Sequence, residues 1–121
     1  MESGTGPYQS RVVRSDSGRN FLLETTFYSN GSFVSIAEGD RRLGAISVAI
    51  SSQNNTNAAK VIPSKHDPVF VNTVAEKVAS MINGICIMSF HAKDQLGLDD
   101  MKAIMGEVMN TVQARKDKDV K

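Results

Sequence analysis

The spacing of apolar positions between residues 66 and 112 predicts a helix, a strand and a second helix. The apolar positions of the first helix are Val71, Val74, Ala75, Val78 and Ile82. We expect the Asp67 side chain to cap the N-terminus of this helix and Pro68 to be its first residue, since proline has no N–H to satisfy there. Asn83-Gly84 is typical of a left-handed helix end. The apolar run 85–90 then predicts a short strand.

The second helix is predicted to begin at Leu98, and its apolar positions form one stripe. The members of this stripe are Met101, Ile104, Met105, Val108, Met109 and Val112. Asp99 and Asp100 fall in the first turn, where the helix dipole favours carboxylates. Gly106 projects away from the stripe, so it is either a tolerated surface glycine or a point of close approach for a partner. The methionines are either core or, in part, an adaptable contact surface.

The N-terminal half alternates apolar and polar residues in a way typical of strands with one buried face. We predict strands at residues 11–14, 21–28, 33–37, 43–51 and 59–62. Asn30-Gly31 predicts a type I′ hairpin turn, in which both central residues have positive φ. In the strand 43–51, we assign Ile46, Val48 and Ile50 to the buried face of the sheet. The alternate positions, Ser47, Ala49 and Ser51, are assigned to a small, polar outer face.

These elements follow the order ββββ(β)αβα, which indicates an α+β domain. Its expected architecture is an antiparallel β-meander sheet or sandwich of about six strands, with both helices laid on it. We predict a flexible lead over residues 1–10, one domain over residues 11–113 and a charged tail over residues 114–121.

Charge and cysteine content narrow the functional classes. A formal net charge of +1 argues against a dedicated nucleic-acid-binding protein, because such proteins carry a marked basic excess. The single cysteine, Cys86, forms no intramolecular disulfide, which favours a reducing compartment. No apolar run reaches the roughly 20 residues of a membrane span. We therefore expect a cytoplasmic or nuclear protein that has no membrane partner.

The residue types needed for catalysis are present but are not placed for it. Cys86, His91 and Asp94 would suggest a nucleophile, a base and an orienting group. Cys86 and His91 are five residues apart along one strand, however, so their side chains point to opposite faces. The chain has only two histidines, and a zinc site needs three or four ligands. We predict no enzyme activity, no metal and no cofactor.

Basic residues are scattered through the sequence, and we expect them to solvate the surface. They include Arg41, Arg42, Lys60, Lys65 and Lys77.

The order of motifs over residues 21–112 resembles the family of proteasome assembly chaperone 3, with the related chaperone 4 as the second candidate. The strings that carry the resemblance are residues 25–30, 33–36, 42–46, 60–62, 65–68, 71–81, 85–90, 92–94 and 98–112. The sequence departs from the family pattern at Pro63-Ser64 and in the polar loop 53–57.

The resemblance implies a small α+β chaperone that is not an enzyme. Its implied partner is a proteasome assembly chaperone 4-like chain in a heterodimer, or a second copy of itself in a homodimer. The pair would hold α-type proteasome subunits, chiefly the fifth, while the α-ring of the 20S core particle is built. It would leave before the particle matures.

Two surfaces are candidates for protein binding. One comprises the loops that contain Arg41, Arg42, Asn54 and Asn55, and the other is the second helix around Met105, Gly106 and Met109. Our hypothesis is that the loops meet the α-type subunit, and that a sheet or helix face meets the chaperone partner. The alternative is a roadblock- or longin-like scaffold module for a GTPase or trafficking complex, since such domains also combine a meander sheet with helices.

Overall fold

One six-stranded sheet carries both helices on the same face in the structure, a computed structural model that describes residues 6–53 and 55–119. The elements are β1 (Tyr8–Arg14), β2 (Asn20–Tyr28), β3 (Gly31–Ala37), β4 (Ala45–Ser52), β5 (Asn55–Ile62), α1 (Pro68–Ile82), β6 (Ile85–His91) and α2 (Leu98–Asp119). The predicted α+β class, with six strands and two helices, is confirmed.

The strand order β1-β2-β3-β6-β4-β5 places the last strand of the sequence inside the sheet. β6 pairs in parallel with β3 and antiparallel with β4, and the other neighbouring pairs are antiparallel. The sheet is therefore not a simple meander, because β6 separates β3 from β4. β6 is apolar along most of its length, which is typical of a strand in the interior of a sheet.

Helix α1 has the predicted bounds, and one of its two predicted caps is wrong. Asn83 ends the helix in the left-handed conformation, with φ 51°. Asp67 is the N-cap residue but makes no side-chain cap hydrogen bond. Its φ of 54° differs from the extended geometry in which a cap side chain reaches the first turn. The Asp67 carboxylate instead accepts the N–H of Leu96 at 2.8 Å.

The β2–β3 hairpin is confirmed, but its predicted turn type is wrong. Tyr28 pairs with Gly31, so the two-residue loop is Ser29-Asn30. Among the described residues, positive φ angles occur at positions 18, 39, 53, 67 and 83, and the hairpin contains none of these. Gly31 belongs to β3, where a Cβ would collide with the carbonyl oxygen of Ile85. Close strand packing therefore requires this glycine.

The two faces of β4 are the reverse of the prediction. Ser47, Ala49 and Ser51 are buried, with Ala49 fully inaccessible, whereas Ile50 is 53% exposed. Helix α1 packs over β4, and the Ser47 hydroxyl donates to the Asn72 side chain at 2.7 Å. Small side chains let the helix come close to the sheet. The larger side chains of β4 consequently lie on the opposite face.

Both ends of the fold extend past the bounds expected from the sequence. β1 begins at Tyr8, inside the segment predicted as a lead, and is paired with β2 along its whole length. α2 continues to Asp119, into the segment predicted as a tail. The Arg115 guanidinium lies 5.6 Å from the centre of the Phe27 ring, and the Gln113 amide donates to Asp117 at 2.9 Å. Both contacts lie in the segment that was predicted to be a tail or directly before it.

Candidate protein-binding surfaces

No helix or strand of the described residues covers the sheet face opposite the helices, and we call this face the open face. Phe33, Ile87, Val48 and Ala59 lie in register on β3, β6, β4 and β5, so they form one apolar row across four strands. Ile87 is 36% exposed. Beside this row, Ile85 pairs with the half-exposed Ile50. A contiguous apolar surface of this kind is typical of a protein interaction site.

One buried carboxylate interrupts the open face. Glu24 on β2 is 8% exposed and accepts hydrogen bonds from Arg41 Nε at 2.9 and 3.0 Å. The Tyr8 hydroxyl donates to the same carboxylate at 2.6 Å. Burial acts to raise the pKa of Glu24, but the hydrogen bonds from Arg41 and Tyr8 and the Arg41 charge outweigh it, and the pKa is lowered. The carboxylate is therefore held ionised beside the apolar row.

The loop between β3 and β4 borders the open face. Together with Phe33, its residues Arg41, Arg42 and Leu43 line a groove of about 210 Å³. Arg41 points to Glu24, whereas Arg42 also lines a second groove at the end of the sheet. The two adjacent arginines of the sequence hypothesis thus have different surroundings.

The second predicted loop also reaches the open face. Asn55, the first residue of β5, lines a cleft of about 520 Å³ that includes Val48 and Ile50. Asn54 lies outside the described residues. The loop residues Arg41 and Asn55 therefore both border the open face.

The predicted helix surface lies in the helix layer, on the other side of the sheet. Met105 and Met109 are partly buried and pack against the core. Gly106 is exposed, and a Cβ there would meet open space. The structure therefore does not join Met105, Gly106 and Met109 to the loop residues in one surface.

The thiol of Cys86 has no arrangement suited to catalysis. Cys86 is fully inaccessible, and burial raises the pKa of its thiol to about 12. It lies on the helix-covered face of β6, five positions before His91. No group of three or more His, Cys, Asp or Glu side chains within residues 6–53 and 55–119 is placed to hold a metal ion.

Sequence reasoning missed the open face, although one signal for it is present. β6 is apolar on both faces, with Cys86, Met88 and Phe90 inside and Ile85 and Ile87 outside. A strand that is apolar on both faces is typical of a sheet covered on both sides. In the part of the chain that the structure describes, the helices cover one face of the sheet, and the apolar outer positions of β6 remain accessible on the other.

Comparison with known proteins identifies a shared fold. No protein-family model matches the chain, and no curated protein matches it. A chain in the crystal structure of a novel chaperone complex for yeast 20S proteasome assembly is similar to it, with a TM-score of 0.60. The match covers 85% of this chain and 98% of the yeast-complex chain, at 10% sequence identity. No helix in the described part of the chain is long and apolar enough to cross a membrane.

Proposed function

We propose that this chain is a non-enzymatic chaperone that promotes assembly of the 20S proteasome α-ring. In this proposal it binds α-type subunits, chiefly the fifth, as a heterodimer with a related chaperone chain. The fold shared with a chain of a proteasome assembly chaperone complex supports the role. The observation that carries the proposal is the open face, which leaves an apolar row uncovered on a complete sheet.

The dimensions of the open face fit a stable partner interface. Six strands spaced about 4.8 Å apart, each about 7 residues long at about 3.3 Å per residue, give a face of roughly 29 by 23 Å. A standard interface buries about 800 Å² per partner, which is close to this area. A second sheet is the natural cover, since two apolar sheet faces pack about 10 Å apart with interdigitated side chains. We therefore assign the chaperone partner to the open face.

The loops at the border of the open face would meet the α-type subunit. Arg41, Arg42 and Asn55 are exposed there, and Asn54 belongs to the same polar loop in sequence. The helix layer, with Met105, Gly106 and Met109, is the other candidate for this contact. The role implies a cytoplasmic or nuclear location.

The partner interface is tested by placing a charge on the open face. Ile50→Glu introduces a carboxylate at a position that is 53% exposed in the single chain, so the fold tolerates it. A carboxylate buried in an apolar interface lacks a partner, and we expect dimer affinity to fall at least about 100-fold. The measurement is multi-angle light scattering after size exclusion, alone and with the partner chaperone. Circular dichroism verifies the fold.

Leu98→Glu is the matched control, because Leu98 is 69% exposed at the start of α2, in the helix layer. We expect it to keep dimer affinity. Tagged wild-type protein purified from cells should retain proteasome α-type subunits, identified by mass spectrometry, and Ile50→Glu should lose the chaperone partner. Equal dimerisation of Ile50→Glu and wild type would refute the assignment of the open face. Retention of small GTPases in place of α-type subunits would favour the roadblock- or longin-like scaffold.

A further inference from the structure

A second groove, at the end of the sheet where β6 finishes, is lined by basic side chains. Its basic residues are Arg42, Lys65, His66, His91 and Lys93, and its volume is about 420 Å³. They come from three segments that are far apart in sequence: the loop before β4, the loop before α1 and the end of β6. None of the residues lining it is Asp or Glu. We call it the basic groove.

In the part of the chain that the structure describes, no ion pair joins a cation of the basic groove to a carboxylate. The ion pairs among the described residues use Arg11, Arg19 and Arg41. Arg42, Lys65 and Lys93 have none. Arg42 thus differs from its neighbour Arg41, whose guanidinium is bound to the Glu24 carboxylate.

Two carboxylates lie near the groove and form no ion pair with its cations. Glu38 accepts two hydrogen bonds from Arg19, at 2.6 and 2.9 Å, and one from the backbone N–H of Lys93 at 2.9 Å. The Asp67 carboxylate accepts the N–H of Leu96. These bonds order the loops around the groove. The hydrogen bonds from Arg19 chiefly lower the pKa of Glu38, and the Lys93 charge adds to this effect without forming an ion pair, so the charge of Lys93 is partly balanced within the chain.

The groove lies beside the N-terminus of α1, which begins at Pro68, two residues after His66. The N-cap residue Asp67 carries a carboxylate, which offsets the partial positive charge of the helix N-terminus. The positive charge of the groove therefore comes from its basic side chains. The Lys93 side chain lies against Gly39, where a Cβ would come within 2.6 Å of the Lys93 Cε. Gly39 thus leaves room for one of the groove cations.

From this juxtaposition of unpaired cations in one groove, we propose that the basic groove binds an acidic segment of a partner protein through its Asp and Glu carboxylates. A peptide fits better than a nucleic acid for two reasons. The chain carries a formal net charge of only +1. The aromatic residue of the groove, Phe90, is 3% exposed, so it offers no surface on which a base would stack.

The basic groove lies at the sheet end, apart from the apolar row of the open face. Its binding of acidic segments requires only this chain, so it stands or falls separately from the assembly role. Ile50→Glu, which tests the dimer interface, should leave acidic-peptide binding within twofold of wild type.

Binding is measured by NMR titration with a hexaglutamate peptide, using hexaglutamine as the uncharged control. The chain has two histidines and both line the groove, so their imidazole signals report directly on it. We expect saturable shifts of the His66 and His91 signals with hexaglutamate, weakened at high salt, and none with hexaglutamine. The ring signals of Tyr28, in a different part of the surface, should not move.

The groove variant Arg42→Gln/Lys65→Gln/Lys93→Gln should bind hexaglutamate about tenfold more weakly or worse, since each exposed charge pair contributes modestly. The control variant Arg14→Gln/Lys77→Gln/Lys102→Gln removes the same charge at exposed positions outside the groove, and its affinity should stay within twofold. Lys65→Gln alone should cost about threefold and serves if the triple variant does not fold. Equal losses in both triple variants, unmoved histidine signals or tighter binding of single-stranded DNA than of hexaglutamate would each overturn the proposal.

Discussion

The two faces of β4 differ in the size of their side chains and in what covers them. Under α1, β4 presents Ser47, Ala49 and Ser51, all of which are buried. On the open face the same strand presents Val48 and the half-exposed Ile50. On β4 the larger apolar side chains are thus the less buried ones. Side-chain size alone does not identify the core face, because a close helix demands small residues.

The two faces also hold their buried carboxylates differently. In the helix layer, Asp100 accepts hydrogen bonds from the Gly97 N–H at 2.9 Å, the Ser17 hydroxyl at 2.6 Å and Arg19 at 3.1 Å. Its ion-pair partner Arg19 has a side chain that is 21% exposed. On the open face, Glu24 is paired with Arg41, whose side chain is 73% exposed. The cation that pairs with Asp100 is therefore largely buried, whereas the cation that pairs with Glu24 is exposed to solvent.

We expect the largest loss of stability when the carboxylate of Asp100, in the helix layer, is removed. Asp100→Ala leaves the largely buried Arg19 without one of its two acidic partners and removes the acceptor for the Gly97 N–H. We expect the free energy of unfolding to fall by about 3 kcal/mol, measured by urea denaturation. The adjacent exposed Asp99→Ala should cost less than about 1 kcal/mol, because it affects only the helix dipole. Similar losses in the two variants would show that the hydrogen bonds and ion pair of Asp100 add no stability beyond its effect on the helix dipole.

The contrast between the faces is sharpened by enlarging one residue on each. Ala49→Leu adds bulk under α1 at a fully buried position, and we expect it to destabilise the fold by about 2 kcal/mol. Val48→Leu, one position earlier on the open face, should change stability by less than about 0.5 kcal/mol. Thermal unfolding of both variants measures the difference. A larger cost for Val48→Leu would mean that the open face is the more tightly packed one.

The smallest expected loss of stability comes from lowering the pH. Burial acts to raise the pKa of Asp100, but hydrogen bonds from Ser17, Ser15 and Gly97 and the Arg19 charge lower it to about 2, from 3.8 in the unfolded chain. The stabilisation is therefore complete above pH 3.8 and is lost as the pH falls towards 2. Between about pH 6 and about pH 3 this group alone should cost about 1 kcal/mol.

The measurement compares wild type with Asp100→Asn by urea denaturation at both pH values. The wild type should lose about 1 kcal/mol more than the variant, because the amide does not titrate. Parallel losses would assign the acid sensitivity to other groups, such as Glu24 on the open face, whose pKa is also lowered.

Elements with strong local signals were predicted from the sequence almost to the residue. The bounds of α1 follow from Pro68 at one end and Asn83 at the other. The start of α2 and the β2–β3 hairpin were found in the same way. The cap of α1 and the turn type of the hairpin were predicted wrongly. The cap depends on the φ angle that the packed chain imposes at Asp67, and the turn depends on the close approach of Ile85 to Gly31.

The candidate surfaces were only partly accessible from the sequence. Arg41 and Arg42 were proposed for binding, and both are exposed beside the open face. Lys65 was expected only to solvate the surface, yet it shares a groove with Arg42 and Lys93. These residues are brought together by loops at the ends of different strands, and no local pattern encodes that meeting.

The sequence by itself determined the α+β class, both ends of α1 and the start of α2, because these depend on neighbouring residues and on periodicity. Only the tertiary structure decided that β6 lies between β3 and β4 and that the larger side chains of β4 face away from the helices. Strand order and face assignment depend on pairing between distant segments. The alternation of residues along β4 is the same whichever face α1 covers. Which face is buried depends on α1, which packs on the smaller side chains.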